Sequence, residues 1–212
     1  MELEAHDVLR FRDAGCLTLA NGLPDWAAAS ISRAPFAVVR RSLGTTGFIP
    51  VGIRGAARSE RLAAELPENE VLGHIKPEQL TDPELWRADA RRMKLGAFHA
   101  LDALAPMLDS LTLPWGPAGS AGFELATGVQ TVHESSDLDI ILKIDDVVRF
   151  PRAMAAEMVP RLAREKHTSV DMVLEFREGA VALAEYASAA SELLMRGPWG
   201  PRLIPHPDVR GG

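Results

Sequence analysis

The chain has 212 residues, 47% hydrophobic and 25% charged, with a formal net charge of −6. That length holds one large domain or two small ones, and the composition excludes a disordered chain. The acidic balance excludes a protein that coats nucleic acid by bulk electrostatics, and no apolar run approaches the ~18 residues of a membrane span.

Met1-Glu2-Leu3-Glu4 is acidic where a signal peptide would be basic, and the single Cys16 has no partner for an internal disulfide. A cytoplasmic protein is the expectation. Further along, Pro24 and Asp25 open a short helix through Ser32, and Phe36–Val39 and Phe48–Ile53 read as buried strands. Ser59–Leu66 is rich in Ala, Glu and Leu and predicts a helix. Between Pro67 and Pro83 the periodicity fades, which sets a boundary near residue 80. Asp82 then caps, and Pro83 starts, one long amphipathic helix through Leu104, ending by Pro106, or by Leu111 if that proline only kinks it.

Residues 116–128 are glycine-rich with a short helical centre. Leu138–Ile144 and Val170–Phe176 predict strands on either side of a helix over Arg152–Glu165. Glu178-Gly179 turns the chain into a strand over Ala180–Glu185, and Ala187–Met195 predicts a last helix. The fold class is therefore mixed α/β (α+β), with an N-terminal mixed module over 1–80 and a second domain over 81–212 built on a small sheet flanked by helices.

Chemistry concentrates in Gly119-Ser120, followed 17 positions after the serine by Asp137 in Ser136-Asp137-Leu138-Asp139-Ile140-Ile141-Leu142. Acid-x-acid triplets are common in so acidic a chain, and Glu2-Leu3-Glu4, Glu68-Asn69-Glu70 and Asp82-Pro83-Glu84 read as solvated ends or caps. Asp137 and Asp139 differ because they lead straight into a buried β-type run. Two carboxylates two apart on a strand share one face, where they repel unless a divalent cation joins them. Mg²⁺, or Mn²⁺, with substrate phosphates satisfies that arrangement. Gly119 and Ser120, just ahead of a helix, suit phosphate binding through backbone N–H groups and a hydroxyl.

These motifs resemble the nucleotidyltransferase superfamily of the DNA polymerase β type. Within it, Gly119-Ser120-Ala121-Gly122-Phe123-Glu124-Leu125-Ala126-Thr127-Gly128 together with Ser136-Asp137-Leu138-Asp139 is similar to the malonate decarboxylase holo-acyl carrier protein synthases, which are phosphoribosyl-dephospho-CoA transferases. His6-Asp7, Val38-Val39-Arg40-Arg41 and Pro50-Val51-Gly52-Ile53-Arg54-Gly55 extend the resemblance over most of the chain. It implies a nucleotidyltransferase-like second domain. It further implies transfer of 2'-(5''-triphosphoribosyl)-3'-dephospho-CoA onto a serine of the decarboxylase's acyl carrier protein subunit, with release of pyrophosphate. Asp137 and Asp139 would then be metal ligands and catalytic acids, and a third carboxylate would help deprotonate the serine. Asp171 in Ser169-Val170-Asp171-Met172-Val173 matches the superfamily's third acid; Glu185 is its rival and Glu124 the more distant alternative.

Arg40, Arg41, Arg54, Arg58 and Arg61 give residues 35–64 a local charge of +4. Solvated guanidiniums are the bland reading; Arg40 and Arg54 are the candidates for binding the triphosphate. Other classes fit less well. Ala118-Gly119-Ser120-Ala121-Gly122 is close to a hydrolase nucleophile elbow, but Pro114 breaks the strand such an elbow needs. A nucleotidyltransferase using another nucleoside triphosphate and acceptor is the runner-up, and a non-catalytic binding module the third reading. None of the six histidines has ligand spacing, and each reads as a surface or hydrogen-bonded residue.

Overall fold

A computed structural model describes residues 3–57 and 59–207; Arg58 of the basic cluster lies outside the described residues. The first sheet comprises β1 (Val8–Arg10), β2 (Phe36–Val39), β3 (Phe48–Arg54), β4 (Arg61–Pro67) and β5 (Gly73–Ile75). Its order is β4-β3-β2-β1-β5, with every neighbouring pair antiparallel. Along β3 the alternation is regular, and Ile49, Val51 and Ile53 are buried with Leu66 of β4 and with Ala27 and Ile31 of α1 (Asp25–Arg33).

The helix expected over Ser59–Leu66 is instead β4, paired with β3 over seven residues from Phe48↔Pro67 to Arg54↔Arg61. Good helix formers yield here because Ala64 and Leu66, two apart, fill the core beside β3. The single long helix expected after Asp82 is also broken. Asp82 does cap, accepting from the Glu84 N–H at 3.0 Å. However, α2 (Glu84–Arg87) stops early, and the Asp89 carboxylate takes the Arg91 N–H at 2.8 Å in a local turn. The main helix, α3 (Gly96–Asp109), then starts at a glycine whose side chain would strike the backbone of His167, and it carries Pro106 inside it without ending there.

The second sheet is β11-β10-β9-β8-β7-β6, antiparallel except for the parallel pair β7–β8. Its strands are β6 (Trp115–Pro117), β7 (Leu138–Lys143), β8 (Val170–Phe176), β9 (Gly179–Ala182), β10 (Glu192–Gly197) and β11 (Gly200–Pro205). α4 (Gly119–Thr127) follows β6, α5 (Arg152–Leu162) crosses from β7 to β8, and α6 (Leu183–Tyr186) follows β9. Leu138, Ile140 and Leu142 of β7 and Met172 and Leu174 of β8 point into one core with α3 and α5.

Two expectations fail in this region. The strand over Ala180–Glu185 ends at Ala182, so Glu185 lies on α6; the helix over Ala187–Met195 is β10, hairpinned to β11 over six residue pairs. Leu193 and Met195, alternating with exposed Glu192 and Arg196, fit a one-sided strand. The fold class is mixed α/β, as expected, and no helix among the described residues is long and apolar enough to cross a membrane.

The two sheets meet through charged side chains. Parallel register pairs Asp139 with Asp171 and, four residues on, Lys143 with Glu175, all on the face opposite the helical core. At the far end Arg41 grips Glu175 with both guanidinium nitrogens, one at 2.7 Å, and His6 Nε2 lies 3.3 Å from the same carboxylate. Lys143 donates to Glu4 and Glu78.

Candidate active site

At the near end of that face, β6 brings the Gly-Ser turn against β7. Pro117 opposes Ile140, and the Ala118 N–H donates to the Asp139 carbonyl at 2.9 Å. Gly119 then adopts φ +56°, and any side chain there would run into the Asp139 carboxylate. Glycine is required at this point both by conformation and by space. Gly122, one turn on, lets α4 sit directly on Pro117. α4 has no side-chain N-cap, and the first-turn N–H groups of a helix have no intrahelical acceptors, so its start beside buried Ser120 suits an anionic oxygen.

Asp137 stands two residues before Asp139, and Asp171 is its neighbour across the parallel strands. Asp137 and Asp139 are half-buried, whereas Asp171 is exposed. Burial pushes the Asp139 carboxyl above its ordinary value, the charges of Asp137 and Asp171 push it further, and His6 and Arg54 oppose them. The three aspartates thus form one electrostatic unit, on which Arg54 at the end of β3 and His6 just ahead of β1 act.

A group that relieves this repulsion fits the donors, which are hard carboxylate oxygens. Among the described residues no three His, Cys, Asp or Glu side chains are gathered closely enough to hold a metal ion by themselves.

The alternative third acids are occupied elsewhere. Glu185 accepts the Leu194 N–H, holding α6 to β10. Glu124 is fully buried and accepts from the N–H groups of Thr131 and Val132 and from Arg91 and Arg92. The two arginine candidates separate. Arg54, at the end of β3, acts on Asp139, whereas Arg40 lies over Gly52 and lines a cleft of about 1170 Å³ shared with Lys143 and Glu175, whose lining includes none of the three aspartates.

His6 was missed by the spacing of histidines. It has φ +77°, outside the usual range for a side-chain-bearing residue, and donates its N–H to the Val39 carbonyl at 3.0 Å. This backbone turn is invisible in the sequence, and the His6 imidazole lies 3.3 Å from the Glu175 carboxylate.

Comparison with known proteins agrees over nearly the whole length. Residues 4–77 match the family model described as the phosphoribosyl-dephospho-CoA transferase MdcG N-terminal domain, and residues 84–207 match the corresponding C-terminal domain. A phosphoribosyl-dephospho-CoA transferase of Pseudomonas syringae pv. tomato is 38% identical over 190 residues, covering 89% of this chain and 86% of that protein. One from Azotobacter vinelandii is 36% identical, covering 96% of this chain and 93% of that protein. A third, from Pseudomonas aeruginosa, is 33% identical over 89% of this chain and 87% of its own. No solved structure matches.

Proposed function

The chain belongs to the phosphoribosyl-dephospho-CoA transferase family, and from that premise we propose that it transfers the coenzyme precursor 2'-(5''-triphosphoribosyl)-3'-dephospho-CoA to a serine of the malonate decarboxylase acyl carrier protein. The observation that carries this reading is the register of Asp139 with Asp171, with Asp139 pressed against the Gly119 turn.

In the proposed reaction the serine oxygen attacks the α-phosphorus, the bond from that phosphorus to the bridging oxygen breaks, and pyrophosphate leaves with the electron pair. Asp171, the exposed carboxylate, accepts the serine proton and passes it to solvent. Asp137 and Asp139 hold Mg²⁺ or Mn²⁺, which when bound neutralises phosphate charge as it develops. Gly119 and Ser120 receive phosphate oxygens at the start of α4. Arg54 adds a fixed positive charge from the end of β3. Arg40 contacts a more distant part of the precursor. The cytoplasm is the compartment of this reading.

The test is to incubate the protein with Mg²⁺, the precursor and apo-carrier, then weigh the intact carrier. The expected result is a mass increase equal to one phosphoribosyl-dephospho-CoA unit with stoichiometric pyrophosphate. An increase with ATP or another nucleoside triphosphate, and none with the precursor, would overturn the substrate; binding without any transfer would leave a non-catalytic module.

A further inference from the structure

A charged group with four hydrogen-bond donors on it takes no part in the chemistry just described. Glu124, on α4, is fully buried, and burying a carboxylate is costly unless every oxygen is matched. One oxygen accepts from Arg91 and, at 3.1 Å, from Arg92; the other accepts the Thr131 and Val132 N–H groups at 2.9 and 3.0 Å. Arg91 also reaches the Val132 carbonyl at 3.3 Å, and Arg92 the Leu85 carbonyl. Burial would raise the Glu124 carboxyl, but these donors hold it below its ordinary value.

The backbone so gripped belongs to the irregular segment between α4 and β7, whose last residue is Asp137. The same segment is tied back to the Gly-Ser turn, since the Thr131 hydroxyl donates to the Ser120 carbonyl at 2.9 Å. Further on, the Ser136 hydroxyl accepts the His133 N–H at 3.1 Å, and Thr168, two residues before β8, donates to the Ser136 carbonyl at 2.7 Å. The first part of the loop is thereby tied to Ser120 and Glu124 of α4, and its last part to Thr168, just ahead of β8.

We propose that Glu124 is a positioning residue: clamped by Arg91 and Arg92, it holds the Thr131–Val132 backbone so that the loop delivers Asp137 to Asp139 and the Gly119–Ser120 turn. An apolar residue in its place would pack the helix but leave the Thr131 and Val132 N–H groups without their acceptor and remove the carboxylate that Arg91 and Arg92 share. What the buried charge secures is the path of the loop. The same group cannot serve as the third acid, because both its oxygens are engaged.

The kinetic arm of the test rests on the transfer reading above; the structural arm does not. Glu124→Gln keeps the shape but turns an amide N–H₂ toward a guanidinium or toward backbone N–H groups. Hydrogen exchange over 129–137 should rise about 10–100-fold, with β7 and β8 still protected. In the transfer assay kcat should fall about 10–100-fold with KM for the precursor within about 3-fold, the split expected when a transition-state group is misplaced. Thr131→Val, which leaves no buried charge behind, should lower kcat about 3–10-fold with an unchanged melting temperature, and it serves where Glu124→Gln does not fold.

Unaltered exchange over 129–137 in Glu124→Gln would overturn the clamp. A loosened loop with wild-type kcat would overturn its role in positioning Asp137. If the wild-type protein transfers nothing from the precursor, the function reading fails, and the exchange measurement still decides whether Glu124 holds the loop.

Discussion

At the scale of single residues, Asp139 sets a cost that the fold bears for its site. Its carboxyl is raised on folding, first by burial and then by Asp137 and Asp171. A raised acid contributes its full stability only below its unfolded value and loses it as pH rises through the folded value, so at neutral pH the ionised group destabilises the native state. Asp139→Asn should therefore melt about 2–4 °C higher than wild type at pH 7–8, with the difference closing as both are acidified, while transfer falls by at least ~1000-fold. A thermal melt across pH, paired with pyrophosphate release, checks both. Gly119→Ala should be nearly as damaging to activity, because its new methyl group meets the Asp139 carboxylate and strains φ +56°. Ser120→Ala, the loss of one hydrogen bond to a charged group, should cost about 10–100-fold in rate.

At the scale of elements, the readable segments were those where one physical signal dominated. The apolar run Ile140-Ile141-Leu142 read as a strand because it is buried continuously, Val170–Phe176 because Met172 and Leu174 alternate with Asp171 and Glu175, and α1 from its proline and aspartate start. β4 and β10 read as helices because Ala, Glu and Leu favour helices locally, and only their partners, β3 and β11, decide otherwise. Ala63, exposed on β4, distinguishes the two states: Ala63→Thr should stabilise a strand by about 0.3–0.5 kcal/mol and would destabilise a helix, as urea unfolding would show. Within the site, the Gly-Ser and Asp-x-Asp pieces were legible because each is contiguous. The adjacency of Asp171, the approach of Arg54 and His6, and the departure of Arg40 depend on strand register and sheet packing, which no local pattern encodes.

At the scale of the molecule, the two sheets are joined by a few strong ion pairs. Burial would push the Glu175 carboxyl up, yet the hydrogen bonds from His6 and Arg41 hold it below its ordinary value. An acid depressed in this way contributes stability at neutral pH that is lost as pH falls through its folded value. Acidification below the ordinary carboxylate range should thus loosen the join between the sheets, which small-angle scattering would register as a larger radius. Arg41→Ala should act at neutral pH by leaving a largely buried charge with His6 as its remaining partner. A loss of about 2–4 kcal/mol in unfolding free energy, and a raised KM for the precursor as the sheet that carries Arg54 is less firmly joined to the one that carries Asp139, are the expected outcomes.

The parallel register of β7 and β8 has a consequence for how such a protein can diverge. Asp139 and Lys143, like Asp171 and Glu175, lie an even number of residues apart, so acid and join occupy one side of the same two strands. A single-codon deletion between Asp139 and Lys143 would leave one of them on its present face and turn the other into the helical core that holds Leu138 and Leu142. Descendants of this chain can exchange residues along these strands, but a one-residue change in the length of either strand between acid and join costs the aspartate cluster or the contact between the halves.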